Sequence, residues 1–402
     1  PWNPLLMTAG MYKYVSDLEP EERTRQGVLD FAVTPYELLY YKEGLSSVVT
    51  VASSQSGNIW LANNGKVDAS TSVDMPTQVL VAHLPYAFKP KPDKVLVIGL
   101  ASGVTAGSVS LHEAPSHIDV VELEPAIVEA SHIFDKYNSR PLEDPRVTLH
   151  TNDGRNHITL AAPGTYDLVI SEPSNPWLTG VSNLFTREFF ELGKSRLAEG
   201  GVWGQWVQMY GMDTDDLRSL IATFLEVYEH VVLFSTIEDA DLVLVGSDSP
   251  LIPSVDGFGE MIREEAAVAY DLKLIDCGEA EDLLARIQLD RPRLEAFSAG
   301  AILNTDDNMR IEYSAPLHLH EQTAEANFMA LLHREDGEDP MIPLEAVQGV
   351  EGRIKLAEAY ARRSDYLRAL LVLKDAWRIE PDNAQVAALY DEYQATLSEE
   401  LE

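Results

Sequence analysis

The chain has 402 residues, more than one average domain holds, and 45% of them are hydrophobic, enough to bury a sizeable core. It carries 65 acidic against 30 basic residues, a net charge of −35. That argues against nucleic acid as a partner, because phosphate binding needs basic patches. No apolar run approaches the roughly 18 residues of a membrane span, and no signal-peptide pattern is present. The single cysteine, Cys277, excludes an internal disulfide and fits a reducing compartment. The acids are spread along the whole chain, so a solvated acidic surface is a simpler reading than attraction of a cationic substrate.

Five stretches are expected. Residues 1–35 form a polar, proline-containing lead-in. Residues 36–93 hold a small β unit and a gate region. YELLYY, SSVVTVASS and NIWLANN carry β-branched and aromatic residues, punctuated by Gly44, Gly57 and Gly65. TSVDMPTQVLVAHLPYAF then leads into a helix, with Asp74 before Pro76 as its start signal.

From Lys94 to about residue 250, strands and helices alternate. VLVIGL (95–100) is a continuous apolar run, as in a buried parallel strand. HIDVVELE (117–124), RVTLH (146–150), YDLVISEP (166–173) and GGVWGQWVQMY (200–210) are the next strands, separated by helical stretches. HVVLFS and ADLVLVGS lie too close for a helix between them, which predicts an antiparallel hairpin. This is an α/β fold: a doubly wound, class I methyltransferase-like (Rossmann-like) sheet. Residues 251–335 are a mixed extension, in which LNTDDNMRIEYSAPL (303–317) reads as a loop and a short strand. Residues 336–402 are helical. Leu356, Ala359, Tyr360, Tyr366, Ala369, Ala376 and Pro381 fall at the packing positions of one tetratricopeptide (TPR-like) repeat. A single repeat predicts a helical pair packed on the body rather than a peptide-binding array.

The chemistry gathers at strand ends. Gly99-Leu-Ala-Ser102-Gly103 follows the first long strand and lets backbone approach a ligand beside a helix N-terminus. Its spacing is not that of a dinucleotide fingerprint. Glu122 ends the second strand, where an acid accepts from ribose hydroxyls, with Leu123 beside it. Glu124 is expected to point to the same side. Asp153 and Gly154 follow the third strand, where an acid and backbone can read adenine. The fourth strand runs into Ser171-Glu172-Pro-Ser-Asn175-Pro-Trp177, at the topological switch region. There Glu172 suits a general base, Asn175 a hydrogen-bonding clamp and Trp177 a ring or sulfonium contact. Gln205 on the fifth strand and Asp74 are further substrate-binding candidates, and Gln78 a cofactor-binding one. Asp306, Asp307 and Glu312 either border the pocket or lie on a surface loop. No metal is expected.

In order, VLVIGLASG, VVELEP, DPRVTLHTNDGRN, YDLVISEPSNP and GGVWGQW resemble spermidine synthase and its aminopropyltransferase relatives over about residues 36–247. The resemblance implies an adenosyl sulfonium co-substrate: decarboxylated S-adenosylmethionine, which donates an aminopropyl group to an amine and leaves methylthioadenosine. It implies that Glu122 holds ribose, Asp153 adenine, and Glu172 the proton of the attacking amine. A homodimer is a further expectation.

The departures matter. Ser102 stands where the family's loop carries an Asp for the donor's amino group, Asn175 replaces a second loop Asp, and the gate's Tyr and Glu are absent from TSVDMPTQ. Together with WNPLLMTAGMYKY and SEPSNPW they resemble a divergent branch fused behind a membrane domain. That predicts a cytoplasmic location, on the membrane's inner face, and would explain a start at Pro1. Fewer acids near the donor tail point to intact S-adenosylmethionine as the donor. Methyl transfer, a sulfonium lyase and a non-catalytic adenosyl sensor or scaffold are the alternative functions.

Overall fold

The fold is described from a computed structural model, over residues 3–332 and 340–400. The expected boundary at 335/336 lies outside the described residues. Two sheets organise the described residues. The smaller is an antiparallel meander of β1 (Tyr36–Glu43), β2 (Val48–Ser54), β3 (Ile59–Asn63) and β4 (Lys66–Ser70) in sequential order. β3 and β4 are joined by Asn64-Gly65, with φ of 50° and 82°. This is the left-handed two-residue turn whose twist matches a hairpin. β4 was not among the strands expected from sequence, because KVDAS alternates charged with small residues and lacks an apolar signature.

The lead-in is structured rather than extended. Helices Pro4–Met7, Met11–Tyr14 and Arg25–Ala32 lie along the small sheet, with Leu5, Leu18 and Ala32 buried. The Val67 amide donates to the Tyr14 hydroxyl at 3.1 Å, tying this segment to β4.

The larger sheet has eight strands in the order β12-β10-β11-β9-β8-β5-β6-β7. β5 (Lys94–Ile98), β6 (His117–Glu122), β7 (Val147–Thr151), β8 (Tyr166–Ser171) and β9 (Leu197–Gln208) run parallel. β10 (His230–Ile237) and β11 (Asp241–Ser247) form the expected antiparallel hairpin, and β11 inserts between β9 and β10. Chain order moves outward from β5 through β6 to β7, then restarts at β8 on the other side. The crevice between β5 and β8 is therefore the switch point at which α/β folds bind ligands. Val95, Leu96 and Val97 of β5 are fully buried, as expected for a strand covered on both faces.

In the mixed extension, the strand lies elsewhere than expected. β12 is Ile287–Asp290, at the edge against β10. Residues Arg310–Ser314, expected as a strand, form a helical turn continued by a 3-10 turn over Ala315–His318. The alternation of Ile311, Glu312 and Tyr313 is too short to specify a strand. Ile311 is instead buried under the turn, and its amide donates to Asn304 Oδ1.

Helices Gly349–Arg362, Tyr366–Ile379 and Ala384–Glu400 close the chain. Leu356, Ala359, Tyr360, Ala369 and Ala376 are fully buried between them, while Pro381 sits exposed at the last turn. They dock on the body through buried Arg368, whose Nη2 donates to Gln288 of β12 at 2.8 Å. Arg362 adds a bond from Nε to Asp282 at 2.9 Å. Among the described residues no helix is long and apolar enough to cross a membrane.

Candidate active site

A cavity of about 400 Å³ opens between the carboxyl ends of β5, β6 and β8 and the face of β4. Its two ends differ in chemistry.

The nucleoside end is built from strand ends. Gly99 has φ of 98°, and a Cβ there would stand 2.5 Å from the Glu172 carbonyl oxygen. Only glycine lets β5 and β8 approach this closely. Glu122 is buried, and its carboxylate accepts from the Leu100 amide at 3.1 Å and the Glu124 amide at 2.9 Å. Burial raises its pKa, opposed by those backbone donors. The carboxylate also lines the cavity, where ribose hydroxyls can reach it. Asp153 lines the cavity while its Oδ1 caps the helix Gly154–Leu160 through Asn156 N at 2.8 Å. A Cβ on Gly154 would meet Ile98 Cγ2 at 2.7 Å, and Leu123 lies half exposed at the rim.

The opposite end is polar and largely buried. Glu172 faces the Thr105 hydroxyl, which also stands 2.9 Å from the Gln78 carbonyl. The Glu172 carboxyl is pushed up to about 8, by burial first and then by Asp241 and Asp74, with Thr105 and Lys66 acting the other way. Asp241 accepts from Thr77 at 2.9 Å and is itself raised to about 6, chiefly by burial. Asp74 begins the helix Met75–His83 without capping it, so its carboxylate is left to face the cavity.

Like Asp241 and Thr105, four further groups at this end were not among the residues expected from sequence. Lys66, on β4, is 4% exposed and pairs with Asp68 at 3.1 Å. Asp68 also accepts from the Ser174 hydroxyl at 2.7 Å. Tyr210 and Trp206 complete the wall. Behind Tyr210, Lys13 of the lead-in lies 4.5 Å from the ring centre. Its amine is brought down to about 7, by burial and then by repulsion from Lys66. The Asn-Gly turn before Lys66 was the available sequence signal for β4, since it makes KVDAS a returning strand.

Several expected site residues stand outside the cavity lining. Ser102 is buried, its hydroxyl bonded to Gln78 Oε1, so Gln78 and not Ser102 faces the ligand space. Gly103 caps the helix Val104–Ser110 with φ of 82°. Asn175 is fully buried one layer behind, and Trp177 packs edge-on against Tyr210 with ring centres 6.0 Å apart. Gln205 is consumed within β9, accepting from Trp203 Nε1 and donating to the Trp206 carbonyl. Glu124 does not share the side of Glu122. It caps the helix Pro125–Ser131 and accepts from the amide and hydroxyl of Ser46. Asp306 pairs with Arg155, and Glu312 reaches only the Gly180 amide at the rim.

This fold and these strand ends define a class I methyltransferase-like domain with a nucleoside-sized cavity at its switch point. The family model of the spermine/spermidine synthase domain matches residues 75–237. Over that segment the chain is similar to the spermidine synthase-like family. It is 29% identical to spermidine synthase 1 of Datura stramonium over 194 residues, 48% of this chain and 62% of that one. It is 29% identical to putrescine N-methyltransferase 1 of Nicotiana tabacum over 206 residues, 51% and 54%. It is 34% identical to spermidine synthase 2 of Hyoscyamus niger over 161 residues, 40% and 52%. The chain thus spans about half the length of these curated relatives. The crystal structure of spermidine synthase from Thermotoga maritima superposes with a TM-score of 0.50 at 19% identity, covering 57% of this chain and 78% of that one. At that identity the likeness speaks for the fold.

Proposed function

We propose that this protein is a transferase acting on an adenosyl sulfonium, which moves the aminoalkyl tail to an amine and releases methylthioadenosine. The observation that carries the reading is Glu172, a buried carboxyl at the switch point with a pKa near 8. A base of that strength can take a proton from an alkylammonium and leave a nucleophilic amine. The new C–N bond forms as the C–S bond breaks, and the electron pair stays on the neutral thioether. Glu122 and Asp153 are the proposed ribose and adenine contacts. No residue of the cavity is asked to hold a metal.

The donor is proposed to be intact S-adenosylmethionine. A loss of acids does not favour it, because Ser102 and Asn175 are outside the lining and Asp68, Asp74 and Asp241 keep this end acidic. Lys66 does favour it. A buried ammonium among carboxylates matches a zwitterionic tail, with Lys66 toward its carboxylate and the acids toward its ammonium. A decarboxylated tail leaves Lys66 facing a second cation. The tail transferred is then aminocarboxypropyl. Relatives that include putrescine N-methyltransferases support methyl transfer as the second reading. A cytoplasm-facing position beside a membrane segment in a longer protein belongs with this proposal.

The test is incubation with each donor, with and without putrescine or spermidine, read by mass spectrometry. Amine-dependent methylthioadenosine supports tail transfer, and S-adenosylhomocysteine supports methyl transfer. Methylthioadenosine without any amine indicates a lyase. Binding without turnover that Glu172→Gln leaves untouched would make the protein a sensor.

A further inference from the structure

We infer that Asp119, His150 and His157 form a binding site for a divalent transition-metal ion of the zinc class, outside the adenosyl cavity. The three residues are far apart in sequence and carry no metal-ligand spacing. The fold brings one ligand atom from each within 4.8 Å of the others, the one such group among the described residues. Asp119 projects from β6 and His150 from the neighbouring β7, where the parallel register sets His150 beside Val121 on the same face. His157 comes down from the helix Gly154–Leu160, with its ring centre 4.6 Å from that of His150.

The surroundings suit a metal better than a plain ion pair. Asp119 Oδ1 already receives His150 Nε2 at 2.5 Å and His117 Nε2 at 3.1 Å. Asp119 Oδ2 accepts from the buried Tyr166 hydroxyl at 3.0 Å, and that hydroxyl also meets His157 Nε2 at 2.9 Å. Tyr166 is thus a fixed outer partner that orients the carboxylate and one imidazole, as metal sites require. Two imidazoles and one carboxylate favour zinc, nickel or copper over magnesium or calcium, which take oxygen ligands. The side chains of His117 and His150 are 40% and 34% exposed, which leaves an entry path and room for water as a further ligand.

The site's position gives it a consequence. Asp119 lies three residues before Glu122, and His150 three before Asp153. His157 lies three after Gly154. A metal here cross-links the two strands and the helix that present the nucleoside end, without touching the reacting atoms. The expected effect is a more stable protein and no change in the reaction's products.

The experiment is zinc titration of the full chain after chelator stripping, by calorimetry and by competition with a chromogenic chelator. The variants are His150→Ala/His157→Ala, His157→Gln alone, and His318→Ala as a distant control. The expected result is one equivalent bound with a dissociation constant on the order of 1 µM. Binding should weaken at least about tenfold in both site variants, stay unchanged in His318→Ala, and raise the wild-type Tm. Cobalt should give the visible absorption of a low-coordinate site in wild type and lose it in His157→Gln. No stoichiometric binding in wild type, or equal binding in the folded His157→Gln protein, would overturn the inference.

Discussion

The Thr105 hydroxyl stands between a carboxylate oxygen of Glu172 and the main-chain carbonyl of Gln78. It can serve either protonation state. With Glu172 neutral, the carboxyl donates to Thr105 and Thr105 donates to the carbonyl. With Glu172 ionised, the hydroxyl turns and donates to the carboxylate. Because Thr105 favours the charged form, removing it raises the Glu172 pKa further. As a base, Glu172 must be ionised, so kcat/KM is expected to rise with pH through about 8. Thr105→Val should move that rise to higher pH and leave donor affinity nearly unchanged. A profile that is flat across this range, or that moves downward, contradicts the assignment.

The same shift bears on folding. A carboxyl ionises in the unfolded chain near 4.5 but in the folded protein near 8. Its neutral form therefore favours the fold at low pH, and that contribution is lost as pH rises through about 8. Glu172→Gln has no such dependence. In ligand-free protein its Tm, relative to wild type, should climb from about pH 5 to about pH 8 and level off above that. A constant offset over that range would mean that Glu172 titrates normally.

Lys66 and Glu122 hold opposite ends of the proposed ligand, and calorimetry can separate them. Lys66→Met should weaken intact S-adenosylmethionine by about 10- to 100-fold, the loss of a charge-assisted bond of roughly 1.5–3 kcal/mol. Its effect on the decarboxylated compound and on methylthioadenosine should be much smaller. Glu122→Gln should weaken all three by a similar factor, because every one carries the ribose. Equal losses for all three ligands in Lys66→Met would remove the case for the intact donor.

Gly99→Ala places a methyl against the Glu172 carbonyl at a φ of 98°. Backbone strain of about 1–3 kcal/mol is expected, with β5 and β8 forced apart where the ligand sits. Both Tm and adenosyl affinity should fall together. A stable Gly99→Ala protein with full affinity would show that this turn has slack.

The strand ends were legible because their signals are local. VLVI is a continuous apolar run that stops at a glycine, HIDVVE alternates before Val120-Val121 and stops at an acid, and Gly99, Glu122, Asp153 and Glu172 all line the cavity. The tail end was not legible in the same way. Lys66, Asp68, Tyr210 and Asp241 come from β4, the loop just after β9 and the start of β11, and each reads alone as ordinary strand alternation. Family likeness pointed to Ser102 and Asn175 by position. Gln78 occupies the face that Ser102 was expected to have, and only the packing of the helix Met75–His83 decides that. The helical turn at Arg310–Ser314 was missed for a related reason: Ile311 is fixed by a tertiary contact with Asn304 that no window of sequence contains.

The C-terminal helices offer a separate test. Arg368 is 3% exposed and bonded to Asp365 and Gln288. Arg368→Met leaves those acceptors in a dry interface and should cost about 3 kcal/mol or more, seen as a lower denaturation midpoint. Donor affinity measured well below that midpoint should not change. A matching loss of affinity would tie these helices to the cavity.

β4 belongs to a sheet that shares no strand with the one carrying Glu122, yet it supplies the lysine and aspartate at the tail end. On the proposed ligand, the tail is thus read in part by a sheet separate from the one that holds the nucleoside. Exchanging this five-residue hairpin arm is expected to change which tails are accepted, while the eight-stranded frame and its proposed hold on the nucleoside stay as they are.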